Sequence, residues 1–400
     1  MLEALVRRAA RAGWKQEAVI GAPEGSGDAD GLEALGVTVH PVLFDCGAPG
    51  LPFAVPGMSD VMPYPSSCFS GLESRQLDEY RDVWTRHLAR VVADFSPDLI
   101  HSNHVWLVSS LIKDAAPGVP VVTQCHATGL RQMELCPHLK DGVVAGVRRN
   151  ERFVALHAGH ADELVRILDI PPERVHVVGV GYRDDIFSVE GRRPGPGAPG
   201  RHVLYAGKFS SAKGVPQLLD AFSGLTKRRG DVTLHIAGTG AGDEADALRA
   251  RMELMIPDVV LHGEVGQAEL ASLMRSSDVF VLPSLYEGIP LVLVEALACG
   301  CRIAVTALPG VTGGIGPLVG EALSAIPMPA LESVDRLASG AEAGFVAGII
   351  DALEQSLDRG ALCDARGELP APVADALEPY RWTSLFGRIA AVWDEARGGA

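Results

Sequence analysis

The chain has 400 residues, of which 47% are hydrophobic and 21% charged, and its formal net charge is −15. At roughly 150 residues per domain this length suits two cores rather than one, and the acidic balance argues against broad nucleic-acid binding, which needs clustered Lys and Arg. No apolar run reaches bilayer length and Met1 to Arg8 lacks the apolar centre of a secretory leader, so a cytoplasmic protein without a transmembrane segment is expected.

In chain order, Leu2 to Ala12 reads as a helix, Glu17 to Gly21 as a strand, Gln76 to Phe95 as a long amphipathic helix and Asp98 to His101 as a strand. Strands at Val119 to Cys125, Arg152 to Leu156 and Val175 to Val178 continue the βαβ rhythm of a parallel sheet. The run from Phe187 to Arg201, dense in Pro and Gly, breaks that rhythm and is expected to be a linker. Beyond it, His202 to Ala206, Val232 to Ala237, Val259 to His262, Val279 to Leu282 and Arg302 to Val305 alternate with helical stretches as a second doubly wound sheet. Ser384 to Ala396 closes the chain as an amphipathic helix.

The chemistry concentrates after the strand Asp278 to Leu282. Pro283 and Ser284 end that strand, Gly288 lets the chain turn, and Pro290 opens a helix whose stop is Gly300. Glu287 therefore sits in the loop and Glu295 inside the helix. The positive dipole end of the helix start, at Gly288, Ile289, Pro290 and Leu291, and the free N–H groups of its residues other than Pro290, favour an anion such as a diphosphate. A second loop, within Tyr205 to Gly214, carries Lys208 and Lys213, both placed to reach the same diphosphate. A leaving phosphate oxygen gains charge as its bond stretches, so preorganised positive charge is what the chemistry needs. Gly238-Thr239-Gly240 after a strand is only a weak phosphate-loop sign.

These segments resemble the retaining glycosyltransferases of GT-B fold, called group 1 or family 4, whose signature is two Glu separated by seven residues, here Glu287 and Glu295. Tyr205 to Gly214, Asp98 to His101 and Val121 to His126 extend the resemblance over nearly the whole chain. It implies an α/β fold of two doubly wound Rossmann-like domains facing a central cleft: residues 1–187, a linker at 188–201, residues 202–379, and a terminal segment 380–400 crossing back to the first domain. The family's first domain starts with a strand and Gly-rich loop ahead of the helix that here is Leu2 to Ala12. The resemblance thus implies a first sheet lacking its first strand.

By the same resemblance Glu295 receives ribose hydroxyls, Glu287 faces the donor sugar, and Lys208 and Lys213 hold the diphosphate. Gly263, Glu264 and Val265 are the candidate base-reading loop, and His126 contacts the donor sugar. Arg131, His101 and His104 are weaker acceptor-site candidates, whereas His138, His157 and His160 are expected to be structural. Met58, Met62, Tyr64 and Phe69, in the loop Pro56 to Ser70, are candidates for an acceptor wall. The implied activity is transfer of a sugar, with retention, from a UDP-, GDP- or ADP-sugar to a small-molecule, glycan or lipid-linked acceptor.

No cofactor or metal is expected, since the sequence holds no D-x-D with apolar flanks, no H-E-x-x-H and no Cys/His set. The seven cysteines are scattered without a C-x-x-C pair, so they read as reduced thiols. An epimerase or sugar phosphorylase of the same fold and a non-catalytic sugar-nucleotide binder remain as alternatives, and self-association is left open.

Overall fold

The computed structural model describes residues 2–398 other than 28, 59–65, 193–200, 288–289, 309–310, 334–335 and 365. It divides into two compact units, Met1–Val180 with Trp382–Ala400, and Gly181–Arg381. Both are α/β with parallel sheets.

The first unit runs α1 (Leu2–Arg11), β1 (Glu17–Pro23), β2 (Thr38–Phe44), α2 (Ser74–Phe95), β3 (Ile100–Asn103), α3 (Leu107–Ala115), β4 (Val121–Gln124), α4 (Ala127–Leu135), β5 (Arg152–Ala155), α5 (Ala158–Leu168) and β6 (Val175–Val177). Strands β3-β4-β5-β6 form one parallel sheet and β1-β2 a separate parallel pair. Among the described residues no strand pairs with the second edge of β1 or of β3, so the sheet is split where a first strand was expected to be absent. Sequence reading passed over β2 because Pro41 interrupts its apolar run. Proline lacks the N–H a central strand needs, and β2 tolerates it because, among the described residues, Pro41 pairs only with Ile20 of β1.

Helix α2 shows why its segment is helical. Gln76 Oε1 accepts from the Glu73 N–H at 2.9 Å, closing the N-terminal turn. Leu77, Tyr80, Trp84, Leu88 and Val91 recur at helical spacing and are all buried. Ser96, with φ of 51°, ends the helix in the left-handed region. The terminal helix Trp382–Gly398 buries Leu385, Ile389, Val392 and Trp393 against Ala4, Leu5 and Ala9 of α1, Val122 of β4 and Val154 of β5.

The second unit holds β7 (Arg201–Ala206), α6 (Val215–Arg228), β8 (Val232–Ala237), α7 (Asp243–Glu253), β9 (Val259–Gly263), α8 (Gln267–Arg275), β10 (Val279–Leu282), α9 (Leu291–Ala298), β11 (Arg302–Thr306) and β12 (Leu323–Ile326). The sheet order is β9-β8-β7-β10-β11-β12, all parallel. Val203 to Tyr205, Val279 to Leu282 and Ile303 to Val305 are buried without alternation, as a parallel sheet covered on both faces requires. The sixth strand, β12, was not anticipated, because Leu-Ser-Ala-Ile after a Gly-rich stretch carries almost no β-branched signal.

The passage between units also differs from the expected linker. It falls at Val180 and Gly181 rather than in the Pro/Gly run. Tyr182 and Phe187 are buried in the core of the second unit, and Arg192 donates to the carbonyls of Met274, Arg275, Ser277 and Cys299. An arginine holding four carbonyls fixes that segment to the second unit, and residues 193–200 of the expected linker lie outside the described residues.

Candidate active site

The order of the second sheet reverses direction beside β7: the chain builds outward through β8 and β9, then returns to place β10 on the other side of β7. Loops leaving the carboxyl ends of β7 and β10 diverge at such a switch point and leave a crevice for a ligand. Four loops meet at this edge and are tied by backbone bonds. Gly207 N–H donates to Ala237 O at 3.0 Å, Phe209 N–H to Thr239 O at 3.1 Å, Leu285 N–H to Ala212 O at 2.9 Å and Gly238 N–H to Gly263 O at 2.6 Å.

Glycine is required where these loops pack closest. Gly214 has φ of 67° and Gly238 φ of 131°, and a Cβ on either would overlap a carbonyl oxygen, that of Pro283 or of Gly207. Tyr205, fully buried, supports the first loop from below by donating its hydroxyl to Lys208 O at 2.8 Å.

On this frame Lys213 Nζ lies 2.7 Å from Glu287 Oε1, with the two side chains 29% and 18% exposed. Ser284 Oγ donates to the same Oε1 at 2.8 Å. The loops after β7 and β10 thus deliver an ammonium and a carboxylate to one point. Lys208 stands exposed on the same loop as Lys213. Pro290, expected to open the helix, takes the N-cap position of α9, and Leu291, one residue later, is the first helical residue. Gly300, with φ of 84°, follows the helix end as expected. Glu295 lies inside α9, and burial pushes its carboxyl up to about 7. Gly288 and Ile289 lie outside the described residues.

The candidate base-reading loop starts at Gly263, whose φ of 71° turns the chain at the end of β9. Glu264 is exposed and Val265 packs partly against the core. In the first unit His126 caps α4 at the end of β4 and lies beside His104, whose φ is 68°. The two rings are 4.6 Å apart. Burial comes first in holding His126 down at about 3, followed by its histidine neighbours, and burial holds His104 at about 4.

The family model described as Glycosyl transferases group 1 matches residues 200–326, and the Glycosyl transferase 4-like domain matches residues 1–181. A D-inositol 3-phosphate glycosyltransferase of Saccharomonospora viridis is 30% identical over 68% of this chain and 68% of its own length. The chain belongs to the group 1 glycosyltransferases. The same-named protein of Thermobispora bispora is 28% identical over 93% of this chain and 91% of its own length. That of Paenarthrobacter aurescens is 33% identical over 54% of this chain, which spans 58% of that relative. The solved structure of Anabaena HepE in complex with UDP and glucose matches with a TM-score of 0.57 at 17% identity, covering 97% of this chain and 94% of that one. The shared fold is GT-B.

For this group 1 glycosyltransferase, sequence reading identified both members of the Lys213 and Glu287 pair but gave them separate tasks. Ser284 ends a strand in the sequence pattern, and the Ser-x-x-Glu spacing of Ser284 and Glu287 also allows its side chain to reach three residues along. Asn103 and Thr128 were missed outright. Asn103 Oδ1 lies 3.2 Å from His126 Nε2, and Thr128 Oγ1 lies 3.1 Å from His104 Nδ1. No local spacing links them, since they meet only through the pairing of β3 with β4. Of the expected acceptor-wall residues, Met62 and Tyr64 lie outside the described residues, while Phe69 is buried against Tyr80 and Trp106. Phe69 is therefore core rather than wall.

Proposed function

We propose that this glycosyltransferase moves a sugar from a nucleoside diphosphate donor to an acceptor hydroxyl, with retention at the anomeric carbon and without a metal. The observation that carries the reading is the meeting of Lys213 with Glu287 at the sheet's switch point, with Glu295 half-buried inside α9, the helix that follows the Glu287 loop. In the bound state Lys213 and Lys208 take the charge that develops on the leaving diphosphate, and the Gly-lined loops let backbone N–H groups approach it. Glu287, released from Lys213, turns to the sugar. Glu295 in its ionised form accepts from the two ribose hydroxyls.

On this reading the second unit holds the nucleotide and the first the acceptor, with His126 meeting the donor sugar. Two lysines in place of a divalent cation support the metal-free assignment. Relatives named for D-inositol 3-phosphate favour a polyhydroxylated acceptor.

The test begins with UDP-, GDP- and ADP-glucose assayed by thermal shift, because a bound ligand raises the apparent stability. The donor so found is incubated with candidate polyols with and without excess EDTA, and the product's anomeric configuration is read by NMR. An inverted product would remove retention, loss of turnover in EDTA would remove metal independence, and product formed without any acceptor would favour epimerisation.

A further inference from the structure

The register of the first sheet sets Asn103, the last residue of β3, opposite Gln124, the last residue of β4, and His126 follows two residues on. The Asn103 side chain therefore reaches across the strand end to the imidazole, Oδ1 to Nε2, at 3.2 Å. An amide oxygen has only lone pairs to offer, so Nε2 of His126 is the nitrogen that carries the proton. Nδ1 keeps its lone pair, and no described residue donates to it.

A second imidazole beneath this one is fixed by the same logic. The indole of Trp393, which can only donate, points at His101 Nδ1 at 3.0 Å, and His101 Nε2–H then donates to Gln124 Oε1 at 3.2 Å. His101 is thereby a neutral Nε2–H imidazole whose bond orients Gln124, the residue paired with Asn103. The tautomer of His101 is thus assigned by an indole that can only donate, and that of His126 by the amide oxygen that Asn103 presents.

We propose that Asn103 is a positioning residue: it locks His126 in the Nε2–H tautomer, so that Nδ1 stands as a fixed acceptor for one hydroxyl of the substrate. Such a nitrogen receives an O–H and cannot donate to a phosphate or carboxylate oxygen, so it selects a hydroxyl over an anionic group at that point. Burial and the histidine neighbours keep the ring from protonating near neutrality, which preserves this polarity. The hydroxyl's identity rests on the transfer reading above; the tautomer does not.

The experiment compares wild type, Asn103→Ala and Asn103→Asp by long-range 15N–1H correlation of the imidazoles at pH 7.5, with His126→Gln identifying the signal. Turnover of UDP-, GDP- and ADP-glucose is followed in parallel. Wild type and N103D are expected to show a pure Nε2–H signal, and N103A a mixture of tautomers. N103A is expected to lose about 10–100-fold in kcat with donor KM within about twofold, by analogy with removing the residue that orients a metal-bound imidazole. The N103D carboxylate draws the His126 pKa upward, so this variant retains turnover at pH 8 and loses it on the acid side, where wild type does not. A pure Nε2–H signal in N103A, or full kcat despite mixed tautomers, overturns the assignment. Absence of turnover in wild type with all three donors counts against the transfer reading, while the nitrogen signals still decide the role of Asn103. If N103A fails to fold, the N103D signal and its pH profile decide alone: a mixed signal, or a profile like that of wild type, overturns the proposal.

Discussion

Lys213 and Glu287 are 74 positions apart in sequence and 2.7 Å apart in space, joined across the point where the second sheet changes direction. Neither end of the pair is a simple surface charge. Each side chain is less than a third exposed, and Ser284 adds a second donor to the same carboxylate oxygen. Removing one partner leaves the other half-buried without compensation, a larger loss than the pair's own net worth.

Lys213→Ala is therefore expected to lower kcat/KM by a factor equivalent to about 2–4 kcal/mol, the scale for deleting a preorganised group that meets developing charge. Glu287→Gln should keep the shape of the loop and still lose turnover. A double-mutant cycle on denaturant stability, combining Lys213→Ala with Glu287→Ala, should give a coupling of about 0.5–3 kcal/mol. Strict additivity in that cycle would show that the contact contributes nothing in solution.

Glu295 provides a pH prediction. Its folded pKa, raised to about 7 by burial, lies above the ordinary value of 4.5. The folded state therefore binds the proton more tightly than the unfolded chain. The stability this contributes is complete below about 4.5 and is lost as pH rises through about 7. Glu295→Gln should accordingly be more thermostable than wild type at pH 8 and nearly equal to it at pH 4.5. Under the ribose role proposed for Glu295, donor affinity should run the opposite way, because the ionised carboxylate is the form that accepts from both hydroxyls. Calorimetric titration of the donor is expected to show binding strengthen from pH 6 to pH 8 in wild type and stay flat in Glu295→Gln. A flat wild-type profile would remove the ribose role.

Much of this site was legible because its signals are local. Pro290 and Gly300 bracket α9, and the seven residues between Glu287 and Glu295 place one carboxylate ahead of the helix and the other within it. Lys208 and Lys213 were found by following a strand into a Gly-flanked loop. Their partners were not legible: the distance from Lys213 to Glu287 depends on β10 lying beside β7, a fact of topology rather than of spacing. Asn103 escaped notice for the same reason. β7, β10 and β11 were readable from the apolar runs Val203 to Tyr205, Val279 to Leu282 and Ile303 to Val305, and β8 and β9 from apolar residues interrupted by Thr233, His235 and His262, whereas β2 was hidden by Pro41 and β12 by its small residues.

A row of three histidines crosses the second sheet. His202 Nδ1 lies 2.9 Å from His235 Nε2, and His235 Nδ1 lies 3.0 Å from His262 Nε2. Each contact needs one N–H and one lone pair, so the row holds together with neutral rings and breaks once neighbouring rings both protonate. Burial first, then the two flanking histidines, lower His235 to about 4 from 6.5. The unfolded chain takes up the proton first as pH falls, so this contribution to stability is present above about 6.5 and is lost toward about 4. Urea midpoints should fall between pH 7 and pH 5 in wild type, and His235→Gln should shrink that fall. An equal drop in both proteins would place the sensitivity elsewhere.

The glycines of the loop frame separate two kinds of backbone constraint. Gly214 and Gly263 have nearly the same φ, 67° and 71°, so an added Cβ meets the same intrinsic penalty of about 1–2 kcal/mol at each. Their surroundings differ. A Cβ on Gly263 meets nothing within 4 Å, while one on Gly214 runs into the Pro283 carbonyl that ends β10. Gly263→Ala should therefore cost only the backbone term, whereas Gly214→Ala must also push the β7 loop away from the β10 loop and lengthen the bond from Leu285 N–H to Ala212 O. That movement separates Lys213 from Glu287. Gly214→Ala is expected to lose more stability than Gly263→Ala and, measured at a temperature where both are fully folded, more turnover as well. Equal losses in the two variants would mean that the close approach at Gly214 does not hold the β7 and β10 loops together.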